Sequence, residues 1–362
     1  MAEPADASAR LRLARSHNIG PVTYARLMAR FGDAARAIDA IPDLARRGGG
    51  RAPKLADPSA IEAEREAVAR LGARHIFIGE PPYPADLAEI PTAPPALIVR
   101  GELSLFERPM VAMVGARNAS AAARKFARDL AHALGGEGHV VVSGLARGID
   151  TAAHVGSLDS GTIGVVAGGI DIFYPPENEE LQIDIGRRGI VVAEQPPGSE
   201  PKARHFPYRN RIIAGLTRGT IVVEAAPKSG SLITARQATE FGRDVMAVPG
   251  SPLDPRAQGC NLLIRDGATL IQNAEDVIAA LDPFGRGGVR QDRVPAPVPV
   301  AEDADDAARA AVVELLGPVP VVVDEIIRQS GVPAPVVQTV LLELEIAGRL
   351  ERHAGGKVSL TQ

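Results

Sequence analysis

From Met110 to Ile271 the chain repeats one pattern, a short Val- and Ile-rich run followed by an amphipathic stretch of helical period. Strands that are apolar on both faces belong to parallel sheets, where crossover helices cover both sides. The runs place strands at Met110–Val114, Val140–Ser143, Thr162–Ala167, Ile190–Ala193, Thr220–Val223, Asp244–Ala247 and Thr269–Ile271. His75–Ile78 and Ala96–Arg100 are candidate edge strands. In such a sheet the ligand sites gather at the carboxyl ends of the strands, so the loops there are the first place to look for function.

Both flanks read differently. Residues 9–40 form short helices around Ser16-His17-Asn18-Ile19-Gly20-Pro21, with Tyr24, Leu27, Met28 and Phe31 at helical spacing. This outlines either a helix-hairpin-helix or a small helical packing domain. Arg46–Lys54 reads as a loose connection and Ile61–Leu71 as a further helix. Gly285–Asp306, rich in proline, glycine and charge, reads as a linker. Three helical patterns follow, at Ala307–Leu316, Val322–Gln329 and Ala334–Ala347, then a hairpin at Gly355-Gly356. Three helices and a small hairpin predict a winged helix. Its third helix offers Gln338, Glu343 and Glu345 and no cation, which favours packing or protein contact over reading a DNA groove. The expected organisation is therefore a helical domain (1–78), an α/β core built on an extended Rossmann-like parallel sheet (79–285), a linker (286–306) and a winged-helix domain (307–362).

Composition limits the chemistry. The chain has no signal-like opening and no run of about 18 apolar residues, so a cytoplasmic protein without membrane contact is expected. One cysteine, Cys260, cannot form an intramolecular disulfide, and with seven scattered histidines it builds no metal cluster. A net charge of −4 excludes a protein that coats nucleic acid by bulk positive charge, so any anion site must be local. Residues 79–285 carry 19 basic and 24 acidic side chains, yet 201–218 holds Lys202, Arg204, Arg209, Arg211 and Arg218 without one acid.

Four loops at strand ends combine small residues with cations or hydroxyls. The first is Gly115-Ala116-Arg117-Asn118-Ala119-Ser120, where a glycine turn, a helix start and an arginine suit a phosphate. Ser143-Gly144-Leu145-Ala146-Arg147-Gly148-Ile149-Asp150 repeats that design on the next strand. Asp150 and His154 could form an acid/base pair, but a capping aspartate beside a satisfied histidine is the simpler reading. In the third loop, Lys202 to Arg211, cations alternate with Phe206 and Tyr208, as a single strand requires: charge for phosphates, a ring face for a base. The fourth presents Ser229, Gly230 and Ser231 ahead of a helix. None matches the dinucleotide or ATP-binding glycine signatures, so no cofactor is expected.

Taken in order, GARNAS, SGLARGIDTAAH, GGIDIFYPPEN, HFPYRNRIIAGL, VVEAAPKSGSLITARQA and VPGSPLDPRAQGCNLLIRDGA resemble the DNA-processing protein A (Smf) family over about Pro81–Leu281. The N-terminal segment resembles the sterile-alpha-motif-like or helix-hairpin-helix region of its longer members, and the tail their winged helix. The resemblance implies a protein that binds incoming single-stranded DNA in natural transformation, protects it and helps load a RecA-type recombinase, as a dimer through the core. Carried over, the DNA-binding residues are Gly115, Arg117, Ser120, Ser143, Gly144, Arg147, Lys202, Arg204, Phe206, Arg209 and Asn210, with Ser229, Gly230 and Ser231 closing the pocket. Ala116 stands where the family usually has serine, and Ala193-Glu194-Gln195 where Ser-Glu-Tyr is common. No catalytic residue is implied. The rival reading is a nucleotide-binding phosphoribohydrolase on a related sheet. It would need a PGGxGTxxE-type acid, which Gly168-Gly169 and Ser229–Glu240 do not supply, leaving Glu224 as the best single candidate.

Overall fold

The computed structural model describes residues 4–281, 303–353 and 355–361; the linker expected at 286–306 lies mostly outside them. Contacts divide the chain into two compact units, one from 63–290 and one joining 1–62 with 291–362.

Four helices open the chain: α1 (Pro4–Arg15), α2 (Pro21–Phe31), α3 (Ala34–Arg47) and α4 (Pro58–Arg70). Pro21 at the first position of α2 and the Asp33 side chain accepting from the Arg36 amide start two of them where the sequence has its turn residues. In the core unit follow β1 (Arg74–Phe77), α5 (Ala85–Ala88), β2 (Ala96–Gly101), β3 (Met110–Gly115), α6 (Ala121–Gly136), β4 (Val140–Ser143), α7 (Ile149–Ser157), β5 (Thr162–Val166), α8 (Glu179–Arg188), β6 (Ile190–Ala193), α9 (His205–Leu216), β7 (Gly219–Val223), α10 (Gly230–Glu240), β8 (Asp244–Ala247), α11 (Gln258–Arg265), β9 (Thr269–Leu270) and α12 (Ala274–Leu281). They build one nine-stranded sheet in the order β1-β2-β6-β5-β4-β3-β7-β8-β9. The seven strands from β6 to β9 in that order are parallel; β2 joins β6, and β1 joins β2, antiparallel. All the expected strands form, each within a residue or two of the sequence reading.

The sheet is covered on both sides, which is why its strands lack alternation. On one face, α6, α7 and α12 lay Ala127, Leu130, Leu134, Ile149 and Val277 on Val111, Met113, Val141 and Ile221. On the other, Ile212, Ile213 and Leu216 of α9 and Ala235 of α10 pack on Ala112, Val114, Val142 and Val222. Full burial of a Leu or Ile contributes about 2 kcal/mol, so each face offsets a substantial part of the chain entropy lost on folding. The N-terminal edge belongs to this unit as well. Val68 near the end of α4 packs with Ile98 and Val191, and β1 pairs with β2.

Strand order reverses around β3. The chain runs from β3 to β4 on one side and returns on the other through β7, while α6 and α10, which follow β3 and β7, leave to opposite faces. Loops that diverge in this way leave a crevice at the carboxyl end of the sheet.

In the second unit, α13 (Asp306–Glu314), β10 (Val321–Val322), α14 (Val323–Ser330), α15 (Ala334–Ile346), β11 (Leu350–His353) and β12 (Lys357–Leu360) form a winged helix with the three-stranded order β10-β12-β11. Nearly every apolar residue of α15 is buried, and so is Glu343, which takes both Nε (2.8 Å) and Nη2 (3.1 Å) of Arg309. Glu345 accepts from Thr23 Oγ1 of α2 at 2.7 Å and from Arg352 Nε at 2.9 Å. Its acids are thus spent on internal contacts, and the helix packs against α2 and α3 rather than standing free. Among the described residues, no helix is long and apolar enough to cross a membrane.

Candidate nucleic-acid interface

A cleft of about 550 Å³ opens at the strand-order reversal. It is lined by Gly115, Arg117 and Asn118 after β3, Ala146 and Asp150 after β4, Phe206, Arg209 and Asn210 on α9, Lys228 to Ser231 before α10, and Arg256. Glycine is required at its floor. A Cβ on Gly115 would lie 1.9 Å from the Val223 carbonyl oxygen, so β3 and β7 close this tightly only without a side chain. Gly144 leaves room for the buried Arg209 guanidinium, since a Cβ there would fall 1.3 Å from Nη1 and displace it.

Arg117 is an exposed cation of the cleft, and its guanidinium lies 5.4 Å from the centre of the Phe206 ring. Tyr174 meets the same ring edge-on, with centroids 5.8 Å apart. An exposed arginine over an aromatic face offers both a phosphate fork and flat surfaces for a base. Lys228 adds a second exposed charge. Arg256 supplies a third, oriented by Asp254 through Nε (3.1 Å) and Nη2 (2.8 Å). Opposite them Ser229 starts α10, its Oγ accepting from the Ser231 amide at 3.3 Å and sharing a 2.7 Å hydroxyl contact with Ser231. The amides of this helix start and the exposed cleft cations are groups suited to an anion.

Of the carried-over residues, Gly115, Arg117, Phe206, Arg209, Asn210, Ser229, Gly230 and Ser231 come together around the cleft. Six stand elsewhere. Ser120 caps α6 by accepting from the Ala123 amide (3.0 Å), and gives its own amide (2.9 Å) and hydroxyl (2.7 Å) to Glu224. Ser143 is buried and donates to the Met113 carbonyl at 2.6 Å, holding β4 to β3. Gly144 lies under Arg209, its amide donating to Asp150 at 3.1 Å. Arg147 faces a different groove and pairs with Glu177 at 2.6 Å. Lys202 and Arg204 are exposed at the start of α9 but do not line the cleft.

The basic run 201–218 is not one patch, because helical geometry divides it. Phe206, Arg209 and Asn210 share the inward face of α9, while Tyr208 points to water. Arg209 is buried with Nη1 at 4.0 Å from Asp150, which also receives the Gly144 and Ala146 amides. Burial raises the Asp150 carboxyl above its usual range, and Arg209 and the two amides oppose that shift. Arg211 ties Glu194 (2.5 Å) to the Thr92 carbonyl, and Arg218 pairs with Asp86 at 3.5 Å. Asn210 donates to the Gly230 carbonyl at 3.4 Å, joining α9 to the start of α10.

Asp150 therefore braces the second loop from inside α7 rather than capping that helix, which corrects the expectation. His154 is satisfied on one side. Its Nδ1 meets Thr162 Oγ1 at 2.8 Å, and since that hydroxyl donates to Val141 O, Nδ1 carries the proton. Burial holds the imidazole neutral, its pKa lowered to about 3. Partial burial, then Arg204 and Lys202, lower the His205 pKa. Glu224, the one candidate acid, is engaged by Ser120. Sequence reading passed over Tyr174, Lys228 and Arg256 as site residues. All three lie in quoted motifs, but only the fold brings Tyr174 against Phe206 and Arg256 to the cleft.

The sequence matches the family model for DNA recombination-mediator protein A over residues 74–282. The chain belongs to this family. Its flanks match the DprA-like N-terminal HHH domain (4–67) and the DprA winged helix domain (295–356). DNA processing protein DprA of Streptococcus pneumoniae is 50% identical over 202 residues, 55% of this chain and 71% of that one. Protein Smf of Escherichia coli is 38% identical over 284 residues, 77% of this chain and 75% of that one. Among solved structures, the S. pneumoniae DprA superposes with a TM-score of 0.64 at 38% identity, covering 77% of this chain and 98% of that one. Helicobacter pylori DNA processing protein A, described for its single-stranded DNA binding mode, gives 0.53 at 28% identity over 57% of this chain and 95% of that one.

Proposed function

We propose that this chain binds single-stranded DNA without regard to sequence in the switch-point cleft, and that it does so as a non-catalytic recombination mediator. The observation that carries the reading is Arg117 stacked over Phe206 at the mouth of a cleft bearing two further cations and a helix start. That set answers to a phosphodiester with an unstacked base, and the H. pylori relative described for single-stranded DNA binding supports it. Of the carried-over residues the cleft uses Arg117, Phe206 and the 229–231 turn directly. Arg209, Asn210, Gly144, Ser143 and Ser120 hold the loops in place, and Lys202, Arg204 and Arg147 stand outside as flanking charge. Glu224 is committed to Ser120, and Asp150, the carboxylate among the lining residues, is buried against Arg209 and two amides, which supports the non-catalytic reading.

The wider role follows the family: a cytoplasmic protein that protects incoming DNA in transformation and hands it to a RecA-type recombinase, working as a homodimer through the core. Exposed Leu262 on α11 and Leu270 on edge strand β9 supply the kind of apolar surface that a self-complementary interface uses.

Titration of a labelled oligothymidylate against the Arg117→Ala protein tests the cleft. Affinity should fall and the log-log salt dependence should flatten by about 0.7 for the lost phosphate contact. Unchanged affinity and slope would remove the cleft from DNA binding.

A further inference from the structure

A second groove of about 390 Å³ runs between α6 and α7. Arg124, Lys125 and Arg128 line it from α6, and with Ala121 they occupy positions that fall on one helix face. Arg147 lines it from the loop before α7, and no carboxylate is among the lining residues. In a core with more acidic than basic side chains, four cations around one furrow are a local concentration of charge.

We propose that this groove is a second backbone subsite, which takes the phosphates of the same single strand after it leaves the switch-point cleft; the inference rests on the reading of that cleft. Continuity of the walls is the first argument. The loops after β3 and β4 face the cleft with Arg117, Asn118 and Ala146 and face the groove with Ala121, Arg147 and Gly148. They are in direct contact, because a Cβ on Gly148 would lie 2.3 Å from the Ala116 carbonyl oxygen. A strand that crosses this shared rim passes from one site into the other.

The second argument is that these charges are available. Arg124 is exposed and has no ion-pair partner among the described residues. Lys125 and Arg128 share the single carboxylate of Asp129, and Arg147 pairs with Glu177 with both side chains more than half exposed. Exposed pairs of this kind are worth about 0–1 kcal/mol, so a phosphate displaces them readily. The third argument concerns what the groove lacks. Its floor is Ala152 and the exposed Val155, with no aromatic ring, so it holds backbone and stacks no base. Cleft and groove thereby divide the strand into a stacked segment and one held by charge alone.

The test compares oligothymidylates of about five and about twenty nucleotides, the span of single binding folds being roughly 4–16. Both are titrated against the full chain and against the Arg124→Ala/Arg128→Ala double variant. The short strand should bind both proteins equally. The long one should bind the double variant roughly tenfold more weakly, with the salt dependence flatter by about 1.4 for two lost contacts. Abasic residues in the distal half of the long strand should leave its affinity for the parent chain unchanged. Unaltered long-strand affinity and slope, while Arg117→Ala still weakens both lengths, would overturn the groove and leave the cleft standing. Equal weakening of both lengths by the double variant would also overturn it, since the groove would then be no separate subsite. If Arg117→Ala affects neither length, the cleft itself fails and takes the groove with it.

Discussion

Arg117 and Arg209 both reach the cleft, but water separates their roles. Arg117 is exposed and, among the described residues, lies over the Phe206 ring with no ion-pair partner, which leaves its charge available to an anion. Arg209 is sealed against Asp150 and Gly144, where moving would leave a buried carboxylate unpaired. Phe206 divides the binding energy in another way. Its replacement by alanine removes a stacking surface worth about 1–3 kcal/mol per base, so Phe206→Ala should weaken the single strand roughly tenfold or more with an unchanged salt slope. A slope that flattens as it does in Arg117→Ala would show that the ring acts only by placing the arginine. His154 makes a prediction about acid. The unfolded imidazole titrates near 6.5 and the buried one near 3, so the unfolded chain binds the extra proton between those values. Stability is whole above about pH 6.5 and falls as pH drops towards 3. Melting temperatures of His154→Gln measured across that range should decline less steeply than those of the parent chain.

Among elements, the loops after β3 and β7 are tied to each other, and the β4 loop is held by the helix that follows it. Glu224, at φ 50°, receives the amide and hydroxyl of Ser120, and so ties the β7 loop to the start of α6. Asp150, from inside α7, gathers two amides of the β4 loop and faces Arg209 of α9. Asp150→Asn leaves the Arg209 charge buried without its counter-ion and should cost about 3–5 kcal/mol, read as a lowered urea midpoint. A loss below about 1 kcal/mol would mean that the guanidinium finds water and does not brace the loop. Gly144→Ala should be comparably damaging because the new methyl occupies the place of the Arg209 guanidinium.

For the whole molecule, the two units divide the work. The core holds the cleft, whereas the recognition-helix position of the winged helix, α15, is packed within its own unit. Duplex DNA should therefore compete poorly with single strands, because a paired base cannot reach Phe206. Equal competition in a filter or anisotropy assay would reassign DNA binding away from this ring. If the surface beside β9 joins two copies, Leu262→Glu with Leu270→Glu should shift the chain to monomer in sedimentation while leaving the melting temperature nearly unchanged. Both side chains are substantially exposed in the single chain.

Sequence alone determined the sheet and its ligand end. Buried parallel strands must be continuous apolar runs, and glycine-rich turns must stand where strands crowd, so the strands and the loops after β3, β4 and β7 were legible from residue order. Gly115, Arg117, Phe206 and the 229–231 turn could be read for the same reason, since each sits in the loop or helix start that its local pattern predicts. Only the tertiary structure decided which cations meet water. Along 201–218 the arginines look alike in one dimension, but Arg209 and Arg211 fall in the stretch of α9 that is buried throughout from 209 to 216, whereas Lys202 and Arg204 precede the helix and stay exposed. It also brought Tyr174 and Arg256 to a cleft that lies far from them in sequence. Charge is a property of a residue, but its availability depends on what the rest of the chain packs around it.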